Sequence, residues 1–116
     1  MTIYIASKTC HAPRWRYIRD NGHEIISTWI DEAGEGQSPD YSDLATRCIR
    51  EAVAADVTLL YCEPGEVLKG ALVEVGAALA AGKEVRCIGE CESVSRVFRK
   101  HPNWRDCASL AEALAA

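Results

Sequence analysis

The residue best placed for chemistry in this sequence is Glu74, which lies in a segment of small residues at positions 70–83 (GALVEVGAALAAGK). If the segment is helical, every neighbour of Glu74 at helical spacing is a glycine or an alanine. These neighbours are Gly70, Ala71, Ala77, Ala78 and Ala81. A carboxylate on so bare a surface is open to close approach, by a packed helix or by a ligand. The spacing leaves both interpretations open, beside that of an ordinary solvated glutamate.

The hydrophobic pattern predicts the elements that must position this carboxylate. We expect strands at 2–6, 23–29, 57–62, 84–88 and 104–107, and helices at 11–20, 41–54, 66–81, 93–99 and 110–115. An acidic loop is expected at 31–40. Alternating strands and helices indicate βαβ units and a parallel sheet. The prediction is therefore one α/β domain over residues 1–116, a three-layer sandwich of flavodoxin-like or Rossmann-like type. Its five-stranded parallel sheet should have the order 2-1-3-4-5.

Ligands in open parallel sheets bind at the carboxyl ends of the strands, near the point where the strand order reverses. This rule selects the residues that follow the first four predicted strands. They are Ser7 to His11 after the first strand, Trp29 to Glu32 after the second, Glu63 to Gly70 after the third, and Gly89 to Cys91 after the fourth.

Composition excludes several classes of function. The chain has 116 residues, a formal net charge of −4 and 48% hydrophobic residues. An acidic chain of this kind is not expected to bind nucleic acid or a membrane surface. No apolar run approaches the roughly 18 residues that a membrane span needs, and the amino terminus lacks the features of a signal peptide. We expect a cytoplasmic protein.

The six cysteines admit more than one interpretation. Without an export signal, small reduced thiols in the core are favoured over a disulfide framework. A zinc site from Cys87, Cys91, His101 and Cys107 is the alternative, although no Cys-x-x-Cys pair is present. Cys10 beside His11 also suggests a nucleophile and its base, but adjacent residues rarely face each other.

Three blocks of the sequence resemble the nucleoside 2-deoxyribosyltransferase family. The first is Gly70-x-x-x-Glu74-x-Gly76-x-Ala78, which closes with Gly82-Lys83 and a strand. The second is the opening strand Ile3-Tyr4-Ile5-Ala6 with Ser7, and the third is Ala55-Asp56 before the third predicted strand. The order and spacing of the blocks carry the resemblance, which extends from residue 2 to about residue 88.

The resemblance implies N-glycosidic chemistry on a nucleoside or nucleotide. In that family, the glutamate matching Glu74 attacks the anomeric carbon of a 2-deoxyribose, and a second base or water then releases the sugar. Tyr4 matches a tyrosine that orients the nucleophile. Ser7 and Gly70 are candidate substrate-binding residues because they follow the first and third predicted strands. Trp29 is a candidate to stack on a nucleobase or, alternatively, to cover the core.

The sequence also departs from the family pattern. Leu68 stands where an acidic residue is common, and Ser7-Lys8 replaces a Gly-Pro. An aspartate expected before Ala55-Asp56 is absent at the family spacing, where Arg47 and Cys48 stand. Asp43, one turn further upstream, is the candidate for its role. Glu63 and Glu66 are candidates to replace the missing acid.

Three functions follow from these observations. The first is cleavage or exchange of an N-glycosidic bond with Glu74 as nucleophile, and without a cofactor or metal. The second is a non-catalytic nucleotide or nucleotide-sugar binding module of the same fold. The third is an interaction domain whose small-residue stripe packs against a second copy. The resemblance also implies a homodimer or higher homo-oligomer, whose sites can be completed by a neighbouring subunit.

Overall fold

A parallel sheet forms the centre of the computed structural model, which describes residues 1–33 and 38–116. Its strands are β1 (Ile3–Ala6), β2 (Val57–Tyr61), β3 (Glu84–Ile88) and β4 (Trp104–Cys107), and they lie side by side in that order. The helices are α1 (Ala12–Asp20), α2 (Tyr41–Ala54), α3 (Gly70–Ala80) and α4 (Leu110–Leu114). Short 3₁₀ turns occur at Thr9–His11, Thr28–Asp31 and Phe98–Lys100. The α/β class and the parallel sheet are therefore confirmed.

The prediction of five strands is wrong, because residues 23–29 do not form a strand. Ile25 makes only an isolated parallel bridge with Ile3. Further along β1, side chains replace the ladder that a neighbouring strand would supply. The Ile5 amide donates to Ser27 Oγ over 2.7 Å, and Trp29 Nε1 donates to the Ile5 carbonyl over 2.9 Å. The segment is held at the edge of β1 by these bonds and turns away as a 3₁₀ helix. The predicted order 2-1-3-4-5 is accordingly not confirmed.

Two helix predictions also need correction. The helix predicted at 66–81 begins only at Gly70. In the segment before it, the Leu68 amide donates a hydrogen bond to Ser93 Oγ over 3.0 Å. The helix predicted at 93–99 is absent, and only the 3₁₀ turn Phe98–Lys100 is found there. The backbone of this segment instead forms the hydrogen bonds of successive turns, such as that from the Val94 amide to the Cys91 carbonyl. In contrast, α2 and β3 have the predicted bounds.

The core lies between the sheet and the helices. Tyr4 and Ile5 of β1 and Leu59 and Leu60 of β2 are fully buried. Helix α3 packs against the first three strands and against α2. It buries Ala71, Val75 and Ala78. Part of the small-residue stripe around Glu74 therefore serves helix packing. Among the described residues, no helix has both the length and the apolar character needed to cross a membrane.

Gly89, directly after β3, is the glycine whose replacement should cost most. Its φ is +96°, and an added Cβ would overlap the Cys62 carbonyl oxygen. We expect Gly89→Ala to lower the free energy of unfolding by about 3 kcal/mol, since a left-handed backbone and a backbone clash both contribute. Gly82→Ala is the matched control, because Gly82 has φ +77° with open space around its Cβ position. It should cost only about 1 kcal/mol. Urea denaturation measures both, and equal losses would contradict the clash.

Candidate active site

A cleft of about 920 Å³ opens where β1 ends and α3 begins. One wall is formed by Ser7, Lys8 and Thr9, which follow β1. The facing wall comes from the start of α3, and the remaining walls from Trp29, from the residues beside it and from α2. Glu74 lines this cleft. The site thus lies at the carboxyl end of a strand, where ligands of parallel α/β sheets bind.

Tyr4 holds the carboxylate of Glu74. The tyrosine is fully buried in β1, and its hydroxyl donates a hydrogen bond to Glu74 Oε1 on α3. The two residues are 70 positions apart in sequence, so the contact depends on the docking of α3 against β1. A rigid strand and a rigid helix therefore fix one oxygen of the carboxylate, while the side chain still reaches the cleft.

The environment changes the protonation of both groups. Burial raises the pKa of Glu74 above its ordinary value, and the negative charge of Glu51 acts in the same direction. Hydrogen bonds from Tyr4 and Cys48 act against this rise, because they stabilise the ionised form. Burial and the charge of Glu74 raise the pKa of Tyr4 far above its ordinary value. Tyr4 therefore remains a protonated donor over the physiological pH range.

Cys48 is a site residue that the sequence analysis did not select. It lies on α2, lines the cleft, and its thiol influences the pKa of both Tyr4 and Glu74. Burial raises the pKa of its thiol, so it stays a neutral donor. The available signal was positional: Cys48 stands where the resembled family carries an aspartate, on the same face of α2 as Leu44, which also lines the cleft.

Three of the five expected substrate-binding residues line the cleft, namely Ser7, Trp29 and Gly70. Ser7 Oγ accepts a hydrogen bond from Trp15 Nε1 over 2.8 Å. Trp29 is only 7% exposed, and its indole nitrogen is engaged with the Ile5 carbonyl. It is therefore a fixed wall of the cleft, with a small exposed surface for stacking.

The structure places Asp43 and Glu63 elsewhere, since neither is among the described residues that line the cleft. Asp43 Oδ2 accepts from Arg47 Nε over 2.8 Å, and Glu63 Oε2 accepts from the Tyr61 hydroxyl over 2.7 Å.

Arg47 also forms a bidentate pair with Glu32, at 2.8 and 2.9 Å. Glu32 lines the cleft, and it is the last residue of the range 29–32 that the carboxyl-end rule selects from the sequence. Positions 34–37 of the expected acidic loop lie outside the described residues.

The cysteines are reduced, as expected. All six are free thiols, and Cys62, Cys87, Cys91 and Cys107 are buried. The alternative zinc set is not assembled in the ranges that the structure covers. His101 Nδ1 instead accepts from the Asn103 amide over 3.0 Å, and Cys87 Sγ contacts the Arg99 guanidinium. Within those ranges, the metal-ligating side chains that converge are Cys10, His11 and Glu66.

The raised pKa of Glu74 predicts how its replacement affects stability. Because the folded-state pKa lies above the ordinary value of 4.5, the contribution of Glu74 to stability is fully present below that value. It is lost as the pH rises through the folded-state pKa. Glu74→Gln keeps an acceptor for Tyr4 and should therefore unfold at a higher temperature than the unmodified chain at pH 8, with the difference vanishing near pH 4. Thermal melts across this range, with exposed Glu92→Gln as control, measure the effect. A difference independent of pH would contradict it.

Comparison with known proteins finds solved structures of similar fold. No family model matches the sequence, and no curated protein matches it. A CMP N-glycosidase of Clostridium botulinum is similar in structure, with a TM-score of 0.62, 18% identity, and coverage of 98% of this chain and 94% of that one. A 2-deoxyribosyltransferase of Bacillus psychrosaccharolyticus has a TM-score of 0.72 and 17% identity, with coverage of 100% and 92%. The resemblance found in the sequence is thus confirmed in the structure: over its full length, the chain has the fold of nucleoside deoxyribosyltransferase-like proteins.

Proposed function

We propose that this protein cleaves or exchanges the N-glycosidic bond of a nucleoside or nucleotide, with Glu74 as the nucleophile. The observation that carries the proposal is the Glu74 carboxylate, held by the Tyr4 hydroxyl and lining a cleft large enough for such a ligand. The shared fold supports it, because the two similar structures are a CMP N-glycosidase and a 2-deoxyribosyltransferase. Cytoplasmic localisation and assembly into a homo-oligomer stay predictions.

The proposed reaction has two steps. A Glu74 oxygen forms a bond to the anomeric carbon while the bond to the base breaks, and the base departs with the electron pair and takes up one proton. Water or the nitrogen of a second base then attacks the anomeric carbon. This restores the Glu74 carboxylate and releases the sugar or the new nucleoside, together with one proton. Tyr4 orients the carboxylate for the attack, and Cys48 acts with Tyr4 to lower the pKa of that carboxylate.

A nucleoside monophosphate is the substrate class that the cleft favours. Lys8 and Lys69 both line it, and Lys69 directly precedes the first turn of α3, which its own side chain does not cap. Two ammonium groups and the amides of a first helical turn suit a phosphate. The carboxylates that line the described cleft are Glu32 and Glu74, and Arg47 pairs with Glu32. A phosphate at the lysine side of the cleft would therefore meet positive charge.

The second candidate is a non-catalytic nucleotide-binding module. It is favoured by the burial that raises the pKa of Glu74, because a protonated carboxyl is a poor nucleophile. Thermal shift detects binding in both cases, since a ligand that binds the folded state raises the unfolding temperature whether or not chemistry follows. The two proposals are separated by whether a ligand that gives this shift also loses its base.

The activity is tested by incubating the protein with ribo- and deoxyribonucleosides and their 5′-monophosphates, and measuring free base chromatographically. We expect base release from at least one monophosphate. Glu74→Ala should lose it by roughly a thousandfold or more, as nucleophile variants do. Glu92→Gln, a replacement on the exposed surface, is the control for handling and should release base at the normal rate. Adding a second base separates transfer from hydrolysis. Binding without base release would support the module, and release unaffected by Glu74→Ala would exclude Glu74 as nucleophile.

Tyr4→Phe tests the role of the hydrogen bond. Because this bond lowers the pKa of Glu74, its loss should raise that pKa and move the acid limb of the rate profile to higher pH. A hydrogen bond to a charged group corresponds to a shift of roughly one to two pH units. The measurement is kcat against pH for both proteins. Tyr17→Phe, at a tyrosine that is 70% exposed, serves as the control. A lower rate with an unmoved acid limb would assign Tyr4 a packing role only.

A further inference from the structure

A second cluster of reactive side chains lies near the cleft, at the carboxyl ends of β1 and β2. Cys10 and His11 come from the 3₁₀ turn after β1, and Glu66 comes from the segment after β2. One ligand atom from each residue lies within 4.8 Å of the other two. The preceding residues, Lys8 and Thr9, line the cleft itself. The cluster therefore adjoins the candidate active site without sharing Glu74 or Tyr4.

Two members of the cluster are held in place. His11 Nε2 lies 2.8 Å from Glu66 Oε2, and the side chains are only 11% and 17% exposed. The ring of Tyr61 packs edge-on against the imidazole, with 5.1 Å between centroids. The second carboxylate oxygen, Oε1, accepts a hydrogen bond from the Glu63 amide over 2.8 Å. Such supporting contacts are typical of the residues around metal ligands, because they fix the ligand orientation.

One positive charge lies close to the cluster. Lys8 contributes positive charge nearby, which opposes cation binding. A bound divalent cation would need the charges of both the carboxylate and a cysteine thiolate to offset its own.

The spacing of the cluster is close to that of a tetrahedral zinc site. With Zn–N and Zn–O bonds of about 2.1 Å and a Zn–S bond of about 2.3 Å, the ligand atoms stand roughly 3.4 to 3.6 Å apart. The present separations of at most 4.8 Å need only side-chain movement to reach this range. The 2.8 Å contact between His11 and Glu66 would open by roughly 0.6 Å as the metal replaces the shared proton. Cys10 is exposed and free to adjust.

We propose that Cys10, His11 and Glu66 bind one Zn²⁺ ion, with a fourth position open to water or a small anion. A thiolate, an imidazole and a carboxylate together select a borderline transition metal over Mg²⁺ or Ca²⁺, which take oxygen ligands. Three protein ligands with one open position are the arrangement of zinc sites that bind an exchangeable ligand. The site would connect the turn after β1 to the segment after β2. It is independent of the proposed glycosidic chemistry.

The test uses Co²⁺ as a spectroscopic substitute for zinc on the full chain, kept reduced. We expect one Co²⁺ per chain, with a near-ultraviolet absorption band from thiolate coordination, displacement by Zn²⁺ and no competition from Mg²⁺. Cys10→Ser should abolish the band and weaken Zn²⁺ binding by roughly a hundredfold. Glu66→Gln should weaken binding while the band persists at high Co²⁺. Circular dichroism establishes that both variants are folded.

Two control variants separate this site from adventitious binding. Glu63→Gln alters a neighbouring carboxylate outside the cluster, and His23→Gln alters a histidine that does not belong to it. Both should bind Co²⁺ like the unmodified chain. The proposal is overturned if the unmodified chain binds no Co²⁺ or Zn²⁺ at about 100 µM metal. It is also overturned if the thiolate band survives Cys10→Ser, since another cysteine would then be the ligand.

Discussion

The hydrogen bond between the Tyr4 hydroxyl and the Glu74 carboxylate is the constraint on which the arrangement of the site depends. A carboxylate that is largely removed from water must be hydrogen-bonded, because desolvation disfavours its charged form. Tyr4 meets this requirement from the middle of β1, where the strand is fully buried. For the bond to form, α3 must lie against the first strands with small residues at the contact. Ala71 and Ala78 are buried there, and they leave the carboxylate uncovered on the side of the cleft.

The shape of the cleft depends in turn on how the edge of β1 is completed. Edge strands expose unpaired amide and carbonyl groups, which must be satisfied. Ser27 and Trp29 satisfy those of Ile5 with their side chains. Because the chain does not continue as a strand, Trp29 turns back over the end of β1 and becomes a wall of the cleft. The bonds of Ser27 and Trp29 to Ile5 thus stand in place of the expected fifth strand, and they also position one wall of the cleft.

The limits of prediction from the sequence have the same physical origin. Residues 41–54 and 84–88 were assigned correctly, because their apolar periodicity and flanking residues agree with their packing. Residues 23–29 have an equally good strand pattern, and periodicity cannot reveal that Ser27 and Trp29 bond to Ile5 in place of a backbone ladder. Glu74 and Tyr4 could be selected from spacing and resemblance. Cys48 and the convergence of Cys10, His11 and Glu66 could not, since each depends on how separate elements dock.

The charges of the site restrict the chemistry further. Glycosidic cleavage commonly uses two carboxyl groups, one as nucleophile and one as acid. In the described part of the cleft, the carboxyl groups are those of Glu32 and Glu74, and Glu32 is engaged in a bidentate pair with Arg47. A carboxylate with both oxygens bound to one guanidinium is poorly placed to serve a leaving base, because both oxygens are already engaged. We infer that, in the proposed reaction, Glu32 does not supply the proton that the leaving base takes up. The site should then act fastest on nucleotides whose base departs readily without strong acid assistance, and slowest on those whose base needs full protonation before it leaves.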